Sequence, residues 1–318
     1  MMNRISKNIF LIVALVSLFS CKKDDEELFV LVQVEDQAVV DDELLVEFLS
    51  THYYNEEEFA NAGNINDFNY DIKITDEAEV IGYDSNNDGV IDGNDIDDTT
   101  VFVRQRLIDI VETKSVYDSD VDQNLYILRV RNGNGPEQPK FCDSTFMSYR
   151  GVELNDSIPF DEQIHPVWLD LSTTVKGFSE SISDNFKTAA TSSPNGDGTN
   201  TFNDFGVGAV FMPSGLGYFA NPPATIAPFA PLVFTFKVMN MVVTDHDQDG
   251  VPSYLEDLDG NHDLSNDDTD NDLIPNAADN NDDDDPILTI NEDIDGDGDA
   301  TNDDTDGDGI PNYLDSDS

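Results

Sequence analysis

Basic residues are scarce in this chain: 15 Lys and Arg stand against 67 Asp and Glu, a formal net charge of -52 at pH 7. So negative a field repels phosphate backbones and anionic headgroups, which excludes nucleic acid and acidic lipid as partners and favours divalent cations. Histidine is thin as well, and His52, His165, His246 and His262 show no His-Glu-x-x-His spacing. Neither a Gly-x-Ser-x-Gly elbow nor a phosphate-binding glycine loop occurs, so zinc hydrolysis, elbow-type serine hydrolysis and nucleotide chemistry fall away. The lone Trp168 reads as packing.

What is there begins with an address. Arg4 and Lys7 precede an apolar run from Ile9 to Phe19. A bilayer span needs ~20 residues, so this layout is a secretory signal over residues 1–20 rather than a membrane helix. The run ends Leu18-Phe19-Ser20-Cys21, which resembles a bacterial lipobox. The resemblance implies a lipidated Cys21 with several acyl chains, enough for stable membrane anchoring. Lys22-Lys23-Asp24-Asp25-Glu26-Glu27 is similar to an export signal on surface-exposed lipoproteins of one Gram-negative lineage. It implies an outer-membrane lipoprotein exposed at the cell surface, the alternative being a solvated tether facing the periplasm. A lipidated Cys21 leaves Cys142 alone, so no internal disulfide is available. Cys142 is expected as a small buried residue on a strand.

Residues 21–40 read as an acidic tether and 41–122 as an N-terminal region. There Asp41-Asp42-Glu43 is placed to cap a helix carrying Leu44, Leu45, Phe48 and Leu49. A short acidic helix is expected over Glu56 to Ala62, while Val101 to Val111 fits strand and helix equally. Strands are expected at Leu125 to Val130, Phe146 to Tyr149, Val167 to Leu171, Val207 to Met212 and Leu232 to Met239, with Asn132-Gly133-Asn134-Gly135-Pro136 as turn chemistry. Phe178, Ile182 and Phe186 at four-residue spacing predict a helix over 177–186.

Met147-Ser148-Tyr149-Arg150-Gly151, Ile158-Pro159-Phe160-Asp161, Val175-Lys176-Gly177-Phe178, Met212-Pro213-Ser214-Gly215-Leu216-Gly217-Tyr218 and Ala230-Pro231-Leu232-Val233-Phe234 follow one another in that order. Together they resemble the FKBP-type peptidyl-prolyl cis-trans isomerase domain, placed at residues 123–242. The resemblance implies an α+β fold, a twisted antiparallel sheet wrapped around a short helix. It also implies a pocket for proline-containing polypeptides at Tyr149, Phe160, Asp161, Val167, Val175, Phe178, Tyr218, Ile226 and Phe234. Phe178 would lie beneath the proline ring, with Phe160, Val167 and Phe234 as walls. Tyr218 and the Val175 amide would donate hydrogen bonds to substrate carbonyls, and Tyr149 and Asp161 would polarise the rim. Read without the resemblance, Phe160, Phe178, Ile226 and Phe234 are core residues. Val167, Phe178 in place of a tryptophan, Phe219 in place of a glycine, and the long polar stretch Thr188 to Phe205, a lid or a surface insertion, depart from the family pattern.

The last part, residues 243–318, has alternating Asp and Asn and no Lys or Arg. Asp245, Asp247 and Asp249 with Gly250 and Glu256 put oxygens at positions one, three, five and twelve of a calcium loop, and the glycine at six permits the tight turn. Asp304, Asp306 and Asp308 with Asp315 repeat it, Asp293, Asp295 and Asp297 open another copy, and Asp268, Asp270 and Asp272 make one without the glycine. These repeats resemble thrombospondin type 3 repeats, which implies an irregular chain wound around structural calcium. Upstream, Asp84, Asn86, Asp88, Asp92 and Asp95 fit an EF-hand-like loop over 84–95. Two functions follow: an isomerase that helps exported proteins fold, with no cofactor for catalysis, or a non-catalytic, calcium-stabilised surface binding or adhesion module.

Overall fold

The structure, a computed structural model, describes residues 32–60, 62, 68–81 and 101–318. The segment read as a signal, Cys21 and the stretch 84–95 read as an EF-hand-like loop lie outside the described residues. The chain falls into two units, Met1–Val32 and Gln33–Ser318, and the second is described below. Among the described residues no helix is long and apolar enough to cross a membrane.

The elements run α1 (Val34–Thr51), β1 (Tyr53–Tyr54), α2 (Glu56–Ala60), β2 (Ile74–Thr75), β3 (Glu79–Ile81), β4 (Val101–Val103), α3 (Leu107–Ile110), β5 (Glu112–Asp118) and β6 (Val121–Arg131). They continue as β7 (Ser144–Glu153), β8 (Asp161–Asp170), α4 (Lys176–Ile182), β9 (Thr191–Pro194), β10 (Asn200–Asn203), β11 (Gly206–Met212) and β12 (Leu232–Val242). Six strands form one antiparallel sheet in the order β5-β6-β11-β12-β7-β8. The fold is therefore α+β, built on an antiparallel sheet with few helices.

The sheet is covered on both faces. Side chains alternate along a strand, so Leu125 and Ile127, Val210 and Met212, and Phe234 and Phe236 join Phe178 and Ile182 of α4 in one apolar cluster. Their neighbours Tyr126 and Leu128, Ala209 and Phe211, and Val233 point the other way, where Leu45, Phe48 and Leu49 of α1 meet them. Double burial explains the near-continuous apolar runs in β6 and β11, since neither face can be polar. α4 approaches the sheet closely because residue 177 is glycine: a Cβ there would lie 2.9 Å from the Met212 sulfur and 3.1 Å from Leu216 Cβ.

Several expectations are corrected. α1 begins at Val34, inside the stretch read as a tether, because no glycine or proline interrupts the chain before Asp41. Asp41 is thus not a cap but a buried residue in mid-helix, and Leu44 is exposed while Leu45, Phe48 and Leu49 are buried. A boundary at 123 would cut β6, and β5 and α1 belong to the same sheet and core. The interval 101–111 is both things in turn, β4 and then α3. Cys142 is buried but sits in the turn before β7, where burial pushes its thiol up to about 12. α4 stops at Ile182, and Phe186 reaches the core from beyond its end. The stretch 188–205 contains the β9–β10 hairpin, whose Phe202 packs on Phe146 at 5.7 Å. Phe146 adjoins Met147, a residue of the α4-side cluster, so the hairpin is anchored to the opposite face.

After β12 the chain makes short 3-10 turns at Ser253–Leu255, Leu264–Asn266, Asn276–Ala278, Thr289–Asn291, Ala300–Asn302 and Asn312–Leu314. Asp247/Asp283, Asp249/Asp285, Glu256/Glu292, Asp267/Asp303 and Asn276/Asn312 are pairs 36 residues apart, so the tail is a tandem repeat. Equivalent bonds recur. The Thr269 amide donates to Asn276 Oδ1 at 2.9 Å and the Thr305 amide to Asn312 Oδ1 at 2.8 Å. Apolar burial here is slight: Val251, Ala300 and Tyr313 cluster with Leu314 against them, and Ala277 is buried apart from that cluster.

Candidate functional site

The aromatic residues of the expected pocket converge. Phe178, Ile226 and Phe234 belong to the α4-side cluster, and Tyr149, Phe160, Val175 and Tyr218 pack against it half-buried. Phe178 and Phe234 are 4.9 Å apart, and Phe160 stands edge-on to Phe234 at 5.5 Å and to Tyr218 at 6.5 Å. Tyr149 meets Phe178 at 5.9 Å. This packing depends on Gly151, where a Cβ would lie 2.5 Å from Phe234 and 2.8 Å from Phe160. Val167 is half-buried opposite Met147, and Leu169, two residues on, is the β8 side chain against the cluster.

The polar groups arrange themselves around these rings. The Tyr149 hydroxyl donates to Asp161 Oδ2 at 2.8 Å. Burial, then the bonded Asp161 carboxylate, push the Tyr149 phenol up to about 12. Burial and the charge of Asp161 also raise Tyr218. Both phenols therefore stay protonated as donors. Val175 ends an extended segment just before α4, and its carbonyl accepts from the Phe178 amide at 2.9 Å. Among the described residues neither the Val175 N–H nor the Tyr218 hydroxyl has a protein partner.

Sequence reasoning passed over the group that fixes the Tyr218 loop. Asp41 of α1 accepts from the Ser214 amide at 2.7 Å and from its hydroxyl at 2.6 Å, and Ser214 O accepts from Gly217 at 3.0 Å and Phe219 at 2.9 Å. The available signal was a carboxylate four residues before Leu45, on the apolar stripe of α1. Phe219 has φ +48, in the left-handed region that favours glycine. Its edge contact with Phe229 at 5.0 Å and the Phe229 amide on its carbonyl at 2.8 Å hold it there.

A cleft of about 800 Å³ opens elsewhere, between the 70–76 segment and the α1-side face of β7 and β12, lined by Phe48, His52, Ile72, Arg150, Val233 and Lys237 among others. It includes none of Phe160, Phe178, Tyr218 or Phe234.

In the tail, Asp247, Asp249 and Glu256 gather with Asp282 from the second repeat, one oxygen of each within 4.8 Å of the others. Asp245 instead spends its oxygens on the Gln248 and Gly250 amides at 2.7 and 3.1 Å. Other groups are Asp257/Asp259/Asp267, Asp268/Asp270/Asp272, Asp283/Asp285/Glu292 and Asp293/Asp295/Asp297. Asp304 accepts the Gly307 and Gly309 amides at 2.7 and 3.0 Å, Asp306 and Asp308 each accept the amide two residues on at 3.0 and 2.8 Å, and Asp315 is buried. Glu256 has 0 % of its surface exposed, and neither of its carboxylate oxygens, nor either of Asp282's, has a hydrogen-bond partner. Burial first, and neighbouring carboxylates second, push Glu256 and Asp282 up to about 9. Buried charges without partners cost too much to persist. This donor set of hard oxygens fits a hard divalent cation.

No family model matches the chain, and no curated protein sequence does. Among solved structures, the chain is similar to a peptidyl-prolyl cis-trans isomerase of Pseudomonas syringae pv. tomato and to FkpA of Escherichia coli. Both matches have 22 % identity and a TM-score of 0.31 over 41 % of this chain, and they span 80 % of the first protein and 52 % of the second.

Proposed function

We propose that the chain is a peptidyl-prolyl cis-trans isomerase acting on Xaa-Pro bonds of exported or cell-envelope proteins. The observation that carries this reading is a pair of donors, the Val175 N–H and the Tyr218 O–H, without partners among the described residues and beside the Phe160–Phe178–Phe234 cluster. Rotation about the amide crosses a barrier of ~18–20 kcal/mol because its C–N bond is partly double. It needs no nucleophile and no proton transfer. What lowers the barrier is removal of water from the amide and a better grip on the twisted form than on the planar one. Phe178 floors the proline ring, Phe160 and Phe234 wall it, and the two donors take the flanking carbonyls. Asp161, held by Tyr149, keeps the rim polar. The test is the isomerisation rate of a proline tetrapeptide with the mature, unlipidated protein and with a Tyr218→Phe, Phe160→Ala double variant. Acceleration that the double variant loses supports the reading. Binding without acceleration by a folded sample supports the non-catalytic binding module instead.

A second reading concerns the tail. We propose that it holds structural Ca²⁺, because carboxylate oxygens without partners otherwise face one another: Oδ2 of Asp247 and of Asp249, and both oxygens of Glu256 and of Asp282. Calcium takes several carboxylate and carbonyl oxygens at once, which is what Asp-rich turns offer. Asp283, Asp285 and Glu292 form a comparable set, with Asp283 Oδ2 and both Glu292 oxygens unpartnered. Equilibrium dialysis tests it, and a protein that retains no calcium ends this reading. The same proposal puts acyl chains on Cys21 and the protein on the outer membrane facing outward; mass spectrometry of the N-terminal peptide and protease treatment of intact cells test those two parts.

A further inference from the structure

The first turns of the tail lie against the helix that floors the pocket. His262 Nδ1 is 2.6 Å from Glu180 Oε1, and its ring stacks on Phe141 at 4.4 Å. Lys176 Nζ donates to the Asn261 carbonyl at 3.2 Å. Lys176 and Glu180 flank Phe178 on α4, and Val175 is the residue before that helix. Upstream, His246 Nε2 is 3.0 Å from Asp170 Oδ2, at the end of β8.

The same loop is built on carboxylates that converge. Asp257 accepts the Asn261 amide at 3.1 Å and the His262 amide at 3.1 Å, and Asp259 accepts the Asn261 amide at 3.0 Å. Asp257, Asp259 and Asp267 bring oxygens within 4.8 Å of one another. Asp267 is 6 % exposed, and its Oδ2 has no partner while Oδ1 takes the Leu258 amide. Three gathered negative charges push the loop apart. A divalent cation between them removes that repulsion and fixes the backbone that presents Asn261 O and the His262 ring to α4.

We propose that cation binding by Asp257, Asp259 and Asp267 clamps α4 through Asn261 and His262, so that the tail regulates the order of the pocket floor. The inference rests on the calcium reading of the tail and, for its consequence, on the pocket reading. Coupling free energies between sites commonly amount to roughly 5- to 150-fold, and they are reciprocal. Calcium therefore tightens proline-peptide binding, and the peptide tightens calcium binding by the same factor.

The experiment is amide hydrogen exchange across residues 176–182 in the mature chain, with excess calcium chloride and with chelator, alongside calorimetric titrations of calcium and of a proline peptide. The expected result is exchange slowed roughly 10-fold by calcium. The slowing is lost in His262→Ala although that variant still binds calcium. Asp257→Asn, which leaves His262 in place, should exchange like the chelated wild type. Exchange in α4 indifferent to calcium, a calcium effect that survives in His262→Ala, or a tail that binds no calcium overturns the proposal. A clamp that operates in a protein with no affinity for proline peptides upholds it and ends the isomerase reading alone.

Discussion

The sheet and the tail solve the same problem by opposite means. The sheet removes apolar surface from water on both faces, and its ionised groups either stay outside or are paired, as Glu180 is by Lys114 at 2.7 Å and by His262. The tail has almost nothing apolar to bury and instead packs carboxylates against one another. Burial drives the first without any ligand. On the proposed reading the attraction in the second comes from a bound cation, which would make its stability a binding free energy. Glu180 and Glu256 make the contrast in one residue type. Burial acts to raise both, but hydrogen bonds from His262 and Lys114 outweigh it and lower Glu180, while carboxylate neighbours drive Glu256 further up.

Chelation separates the two regions most sharply. Extracellular calcium modules bind at ~10⁻⁴–10⁻³ M, and a hundredfold excess over the dissociation constant adds about 2.7 kcal/mol per site. With several sites the tail should lose its amide protection in chelator while β6, β11 and β12 keep theirs; a tail equally protected in both conditions breaks the comparison. Phe211→Ala, in the α1-side core, is expected to cost about 3–5 kcal/mol. Urea unfolding of the sheet should report the same loss with and without calcium. Gly151→Ala forces a Cβ between Phe160 and Phe234, costs about 1–3 kcal/mol through overpacking, and should abolish proline-peptide binding while calcium titration of the tail is unchanged.

The smallest effect is in pH, and its sign differs between the regions. In chelator the folded Glu256 titrates near 9, above its ordinary 4.5. Its contribution to stability is therefore whole below pH 4.5 and disappears as pH rises through 9. Glu112, lowered chiefly by its hydrogen bond from Arg129, contributes above its ordinary value and loses that contribution as pH falls through the depressed one. Metal-free tail protection should consequently be greater at pH 5 than at pH 8. Tail protection that instead rises with pH in chelator shows that its carboxylates are not packed against one another.

Much of the sheet was legible because strand faces are written in alternation. Leu125 to Val130 and Val207 to Met212 were expected as strands and are, and alternate side chains along them reach opposite cores. Less legible was what lies beyond local periodicity. The start of α1 at Val34 was hard to read because no capping side-chain bond marks it. The Asp41–Ser214 bonds join residues 173 apart in sequence, and no local pattern marks such a pair. The clustered rings were visible as residue types, but that Leu169 rather than Val167 packs on the cluster was not, since the two residues share one face of β8 and alternation does not separate them.

By itself the sequence determined the acidity, the alternation that makes the sheet, the Asp-x-Asp turns and the aromatic residues from Tyr149 to Phe234, because each is a short-range pattern with a local physical meaning. Only the tertiary structure decided that Asp282 joins Asp247, Asp249 and Glu256, that Asp41 fixes the Tyr218 loop, and that His262 reaches Glu180 on the helix that carries Phe178. The first depends on how the two tail repeats wind against each other, and the other two on how distant segments are brought side by side around the sheet's apolar cores. That is a property of the packed chain, not of any stretch within it.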